Sequence, residues 1–183
     1  HGPWEHQGLN EQYELYNRGT CMLHSEFGVE GMTNYEALRR TTAPEHFLPA
    51  SKDNPVYFHR GAWWNNEPLV QETFGGLTEI EEIRKGSQYM QYEGLKYAVE
   101  CNRRRAFHNS GTFPWQFNEP YPNLYCTSSL DYYGNPKPAY YGVKKAYAPY
   151  LVTASFDGAS LWEKEWLEAD IHAACNLPEG ERR

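Results

Sequence analysis

Nowhere in the 183 residues is there a run approaching the ~18 consecutive apolar side chains that a membrane helix needs. Excess positive charge is missing too. Seventeen Lys and Arg stand against 24 Asp and Glu, a formal net charge of −7, so no polyanion-binding surface is implied and neither nucleic acid nor membrane is expected as a partner. Cysteines are few and far apart: Cys21, Cys101, Cys126 and Cys175 match no zinc spacing and no small disulfide framework, and their expected role is buried apolar filler. The chain also lacks an Asn-x-Ser/Thr sequon, a Gly-rich phosphate loop and any metal-ligand cluster. No metal or cofactor is expected, and the compartment stays open. It opens His1-Gly2-Pro3-Trp4 with neither Met nor a leader, which reads as an internal or processed piece of a longer protein.

Aromatics, by contrast, are plentiful. They make up 16% of the residues, with 15 Tyr and 6 Trp, which excludes a disordered chain and favours a folded one that binds flat apolar faces. Gly19 to Gly28 contains a short apolar run that reads as a buried strand ending at Glu26. The segment from Gly31 to Gly76 holds one evident helix, Tyr35 to Arg40, and then Pro44, Pro49, Pro55 and Pro68 with Trp63-Trp64 among them, so it reads as a long functional loop. Thr78-Glu79-Ile80-Glu81 has the pattern of a capping box, and the apolar spacing beyond it predicts a helix, divided at Gly86, that ends in Arg103, Arg104 and Arg105.

Gly111 to Asn118 predicts a second strand with Phe113, Trp115 and Phe117 alternating, although Pro114 removes one ladder donor. Pro138 suits the first turn of a helix that continues from Tyr140 to Tyr147. From Tyr150 the pattern changes to two short strands, Leu151 to Phe156 and within Trp166 to Cys175, which predicts a domain boundary near Pro149 and the beginning of a β domain.

Two strand–helix units argue for a parallel sheet or barrel, in which catalytic groups belong at the carboxyl ends of strands. Glu26 occupies such an end and could attack a sugar carbon, although a salt-bridged surface carboxylate is the commoner role for an isolated Glu. Trp115 ends the second strand, where an indole can stack on a pyranose; a core Trp is the commoner alternative. His24 shares the strand face of Glu26 if the strand is regular, and a packed, hydrogen-bonded histidine is the expected reading.

Taken together, Ser25-Glu26-Phe27-Gly28, Glu100-Cys-Asn-Arg-Arg104, Gly111-Thr-Phe-Pro-Trp-Gln-Phe-Asn-Glu119, Asp131-Tyr-Tyr-Gly134 and Lys137-Pro-Ala-Tyr-Tyr141 resemble glycoside hydrolase family 2. The insertion with Asn54 to Gly61 and Trp63-Trp64 looks most like the β-mannosidase branch, with exo-β-glucosaminidases, β-galactosidases and β-glucuronidases as alternatives. The resemblance implies an α/β fold. Residues 1–149 would be the C-terminal part of a TIM (β/α)8 barrel, strands seven and eight with their helices, and residues 150–183 the start of an immunoglobulin-like β-sandwich.

It further implies that Glu26 is the nucleophile of a retaining β-glycosidase acting on a terminal β-linked sugar. Trp115, and more loosely Trp4, Asn118 and Glu119, would contact that sugar. The family's acid/base Glu follows an Asn well upstream of the nucleophile. Asn10-Glu11, Asn66-Glu67 and Asn118-Glu119 all stand in the wrong place for it, so this chain alone is expected to be inactive and to work with the remaining domains of a longer protein. Trp63-Trp64 reads either as cover for outer helices or as a sugar-binding surface. A non-catalytic carbohydrate-binding module is the alternative from another class.

Overall fold

The structure, a computed structural model, describes residues 1–158 and 166–177. One long helix organises it. Helix α5 (Ile80–Arg104) follows a short helix α1 (Glu11–Asn17), the strands β1 (His24–Phe27) and β2 (Gly31–Met32), and the helices α2 (Tyr35–Thr41), α3 (Pro55–His59) and α4 (Glu67–Phe74). Strands β3 (Thr112–Pro114) and β4 (Tyr125–Cys126), helix α6 (Pro138–Ala146) and a hairpin of β5 (Tyr150–Ser155) with β6 (Asp170–Cys175) complete it.

Three of the four prolines between Gly31 and Gly76 are helix starts, and only Pro49 lies in irregular backbone. Pro44, Pro55 and Pro68 each sit in the first turn of a helical segment, where the missing N–H costs nothing, and the Asn54 side chain caps α3 by accepting from the Val56 N–H at 3.0 Å. The expected loop is therefore mostly helical. Nor does Gly86 divide α5. It is buried where an added Cβ would meet Val70 and Phe74 at 3.0 Å, so the glycine admits α4 against an unbroken 25-residue helix. The capping box does not form either: Glu79 is the N-cap without a side-chain bond, and Glu81 and Glu82 in the first turn complement the helix dipole instead.

Two apolar clusters lie along α5. Leu95, Ala98 and Val99 pack with Tyr13, Tyr16, Phe27 and Val29, while Ile83 joins Met32, Leu38, Tyr57, Leu124 and Tyr125. Burying each of the larger side chains contributes about 1.5–3 kcal/mol. Between the clusters, Ser87, Gln88 and Gln91 are buried and polar. Their side chains bond Met32 and the carbonyls of Met32, Val29, Cys126 and Ser128, so the helix holds both β2 and β4 by their backbones.

Strands β1 and β3 pair in parallel and β2 pairs antiparallel with β4. On the other edge of β1, Gly2 N–H donates to Glu26 O at 2.6 Å and Gly28 N–H to Pro3 O at 2.8 Å, so residues 1–3 run beside it like a further strand. Strand β3 ends at Pro114, short of the expected Asn118. Phe113, Trp115 and Phe117 are all exposed and alternate with the half-buried Thr112, Pro114 and Gln116. The two expected strands pair as an antiparallel hairpin, and α5 grips it: Arg104 donates to Ala154 O and Tyr97 Oη to Phe156 O. The connection at 159–165 and residues 178–183 of the expected second domain lie outside the described residues.

Candidate active site

The register of β1 on β3 shifts between His24 and Phe27, and this irregularity aims Glu26. His24 and Phe27, three residues apart, both turn inward and stack at 4.2 Å, whereas Glu26 is half-buried at the strand's carboxyl end. His24 therefore does not share the face of Glu26. Its Nε2 lies 2.8 Å from Gly2 O and its Nδ1 3.0 Å from the Asn102 amide, the arrangement of a neutral ring that donates through Nε2 and accepts through Nδ1. Burial lowers its pKa further, which fits a positioning group for residues 1–3.

That positioning brings His1 to the carboxylate. His1 Nδ1 lies 3.5 Å from Glu26 Oε2, and the His1 ring meets Trp4 edge-on at 4.8 Å. On the opposite side, Trp115 N–H donates to Phe27 O at 2.5 Å, so the indole starts from the backbone position next to the end of β1 and stands 44% exposed. The Trp115–Gln116 peptide is cis. Glu26, Trp4 and Trp115 thus flank one strand end. Asn118 is exposed on the following loop.

Glu119 departs from expectation. It is 4% exposed, Oε1 accepts from Ser128 Oγ at 2.7 Å and Oε2 from the Asn123 N–H at 3.1 Å, and burial raises its pKa. Both oxygens accept from within the protein and the side chain is closed to solvent, so it holds the 119–128 loop and faces no sugar.

Two buried titratable groups nearby escaped the sequence reading. Glu30 Oε2 accepts from the His6 N–H at 2.8 Å; burial pushes the Glu30 carboxyl up to about 7 and the His6 ring down to about 4. The signal for Glu30 is slight: a single acid in the apolar Phe27 to Met32 run. Phe58, Trp63 and Trp64 also line a cleft with Trp4, a juxtaposition of segments some sixty residues apart that no local pattern shows.

A parallel strand pair with a carboxylate and an indole at its carboxyl ends, backed by helices, is consistent with part of a glycosidase domain, and the comparisons bear out the resemblance to β-mannosidase-like members of glycoside hydrolase family 2. Beta-mannosidase B of Aspergillus niger is 26% identical over 156 residues, which is 79% of this chain and 18% of that protein; its counterpart in Emericella nidulans is 24% identical over the same span. Among solved structures, the β-D-mannosidase from Dictyoglomus thermophilum superposes with a TM-score of 0.69 at 28% identity, over 80% of this chain and 18% of that one. The Amycolatopsis orientalis exo-chitosanase shares the fold, with a TM-score of 0.70 at 21% identity over 85% of this chain and 20% of that one. No protein-family model matches. The chain spans less than a fifth of the curated relatives' length.

Proposed function

We propose that this chain is the nucleophile-bearing part of a retaining exo-β-glycosidase, most closely of the β-mannosidase kind, whose substrate is a carbohydrate with a terminal β-linked sugar. Residues 1–149 would supply strands seven and eight of a (β/α)8 barrel, and residues 150–183 the start of the β-sandwich behind it. The observation that carries this reading is the half-buried Glu26 carboxylate at the end of β1, flanked by Trp115 and Trp4.

In this mechanism a Glu26 oxygen bonds the anomeric carbon as the bond to the leaving oxygen breaks. An acid carboxyl from outside these residues protonates that oxygen. Water, deprotonated by the same outside group, then displaces Glu26, and two inversions leave the configuration retained. Trp115 stacks on the apolar face of the sugar, and Trp4 with His1 bounds the opposite side. Asn118 is in reach of hydroxyl groups from its exposed loop. The chain alone, lacking the second carboxylate, would be inactive.

The test is turnover of aryl β-mannoside, β-glucosaminide, β-galactoside and β-glucuronide by the full-length protein, wild type beside Glu26→Gln. One substrate should turn over, and the substitution should lower kcat by several orders of magnitude while the sugar still binds. Equal activity of the two proteins would return Glu26 to a structural role. Sugar binding without any turnover would favour a carbohydrate-binding module.

A further inference from the structure

Residues 1–6 run along β1 and the segment that follows it, and alternate residues from His24 to Glu30 hold them there. His24 Nε2 lies 2.8 Å from Gly2 O, and the Glu26 carbonyl accepts from the Gly2 N–H at 2.6 Å. Gly28 N–H then donates to Pro3 O at 2.8 Å, and Glu30 Oε2 accepts from the His6 N–H at 2.8 Å. Trp4 sits between these last two contacts. Its ring packs edge-on against His1, whose Nδ1 is 3.5 Å from Glu26 Oε2. One stretch of backbone, 26–30, therefore carries the candidate nucleophile at one end. At the other it carries the acceptor that fixes the far side of the Trp4 segment.

Glu30 is itself firmly held. It is buried, and its carbonyl accepts from the Asn66 amide at 3.2 Å. Asn66 Oδ1 accepts in turn from Ser87 Oγ at 2.7 Å, and the same hydroxyl oxygen accepts from the Met32 N–H at 2.8 Å, so α5 fixes the backbone on both sides of Gly31. Gly31 lies so close to that helix that an added Cβ would stand 2.5 Å from Gln91 Oε1. The carboxylate thus has little room to follow a displaced His6. Past His6 the segment passes to other partners: Gln7 N–H donates to Gln12 Oε1 at 2.9 Å and Gly8 N–H to the His6 ring at 3.2 Å. Glu30 alone joins the Trp4 side of His6 to the backbone that bears Glu26.

Resting on the reading of Glu26 as nucleophile with Trp4 bounding its sugar, we propose that Glu30 is a positioning residue for that reaction: by accepting from the His6 N–H it holds Trp4 in place beside Glu26. A shift of the indole by about 1 Å is enough to lower turnover up to a hundredfold.

The experiment is a double-mutant cycle on the full-length protein, reading kcat/KM for whichever aryl β-glycoside the wild type turns over. Glu30→Leu keeps the volume and removes the acceptor. Trp4→Ala and Glu30→Leu should each lower kcat/KM by roughly tenfold. The double variant should lose no more than the larger single loss, because without the indole Glu30 has nothing to place. Glu30→Asp, which withdraws the carboxylate by one methylene, should behave like Glu30→Leu and serves in its place if the Leu protein does not fold. Glu30→Gln, whose amide oxygen still reaches the His6 N–H, should keep most of the wild-type value. Losses that multiply in the double variant, or Glu30→Leu and Glu30→Asp proteins that lose stability in urea but keep kcat/KM, would overturn the positioning role. Either result beside an inactive Glu26→Gln protein would leave the nucleophile reading intact. Full turnover by Glu26→Gln would overturn that reading instead, and no turnover by the wild type would overturn both.

Discussion

Gly28 and Trp115 meet backbone against side-chain space: a methyl group on Gly28 would lie 2.7 Å from the Trp115 carbonyl oxygen and 3.0 Å from Thr127 Cγ2. No such contact is tolerable, so the glycine two residues after Glu26 is what lets the Trp115 segment close over the end of β1. Gly28→Ala should force that segment outward, at a cost of about 1–3 kcal/mol in urea denaturation. Because Trp115 would move with it, turnover by the full-length protein should, on the proposed mechanism, fall by roughly tenfold to a hundredfold. Unchanged kinetics in a destabilised Gly28→Ala protein would separate Trp115 from the chemistry.

A second prediction concerns Gln91. Its amide donates to Val29 O and Ser128 O, each at 3.0 Å, and to Cys126 O at 3.3 Å, in a site closed to water. Lys137 Nζ also serves Cys126 O, at 3.1 Å, which leaves Val29 and Ser128 dependent on Gln91. Gln91→Leu keeps the volume and strands both carbonyls, so stability should drop by roughly 2–4 kcal/mol. A loss below about 0.5 kcal/mol would mean that water enters and replaces the amide.

The elements legible in the sequence are those defined by local chemistry. The strand at Glu26, the helix from Tyr35, the Pro138 helix and the β5–β6 hairpin all carry their own period or terminal residue. The failures share another cause. Gly86 and Pro55 look like interruptions locally, but one is a contact surface for α4 and the other a helix start, and only packing between distant segments tells the difference. Glu26 and Trp115 lie where the sequence pattern places them, at the ends of β1 and β3. Glu119 was misread because its partners, Ser128 and Asn123, come from a loop whose path leaves no periodic trace.

The correction at Glu119 is itself testable. Glu119→Ala leaves the Ser128 hydroxyl and the Asn123 N–H without acceptors and takes the nearest carboxylate from the buried Lys137, so stability should fall by roughly 2–4 kcal/mol. The folded full-length protein should bind the sugar of the proposed site with unchanged affinity. A tenfold weaker affinity at unchanged stability would restore Glu119 to the substrate.

Glu30 and His6 make opposite demands on pH. Burial raises the Glu30 carboxyl from 4.5 to about 7, so its contribution to stability is fully present below pH 4.5 and is lost as pH rises through about 7. Burial lowers the His6 ring from 6.5 to about 4, and its contribution is present above pH 6.5 and lost as pH falls through about 4. The two slopes oppose each other between pH 4.5 and 6.5, which flattens the wild-type profile there. Glu30→Gln removes one of them while its side-chain oxygen still accepts from the His6 N–H. The variant should match wild type near pH 4.5 and exceed it by roughly 3 kcal/mol at pH 8, the free energy of the removed shift. Its own stability should rise with pH between about 4 and 6.5, the exposed signature of His6. Urea midpoints at pH 4.5, 6 and 8 read both effects, and a constant difference between the two proteins across that range would show that Glu30 titrates as an ordinary carboxylate.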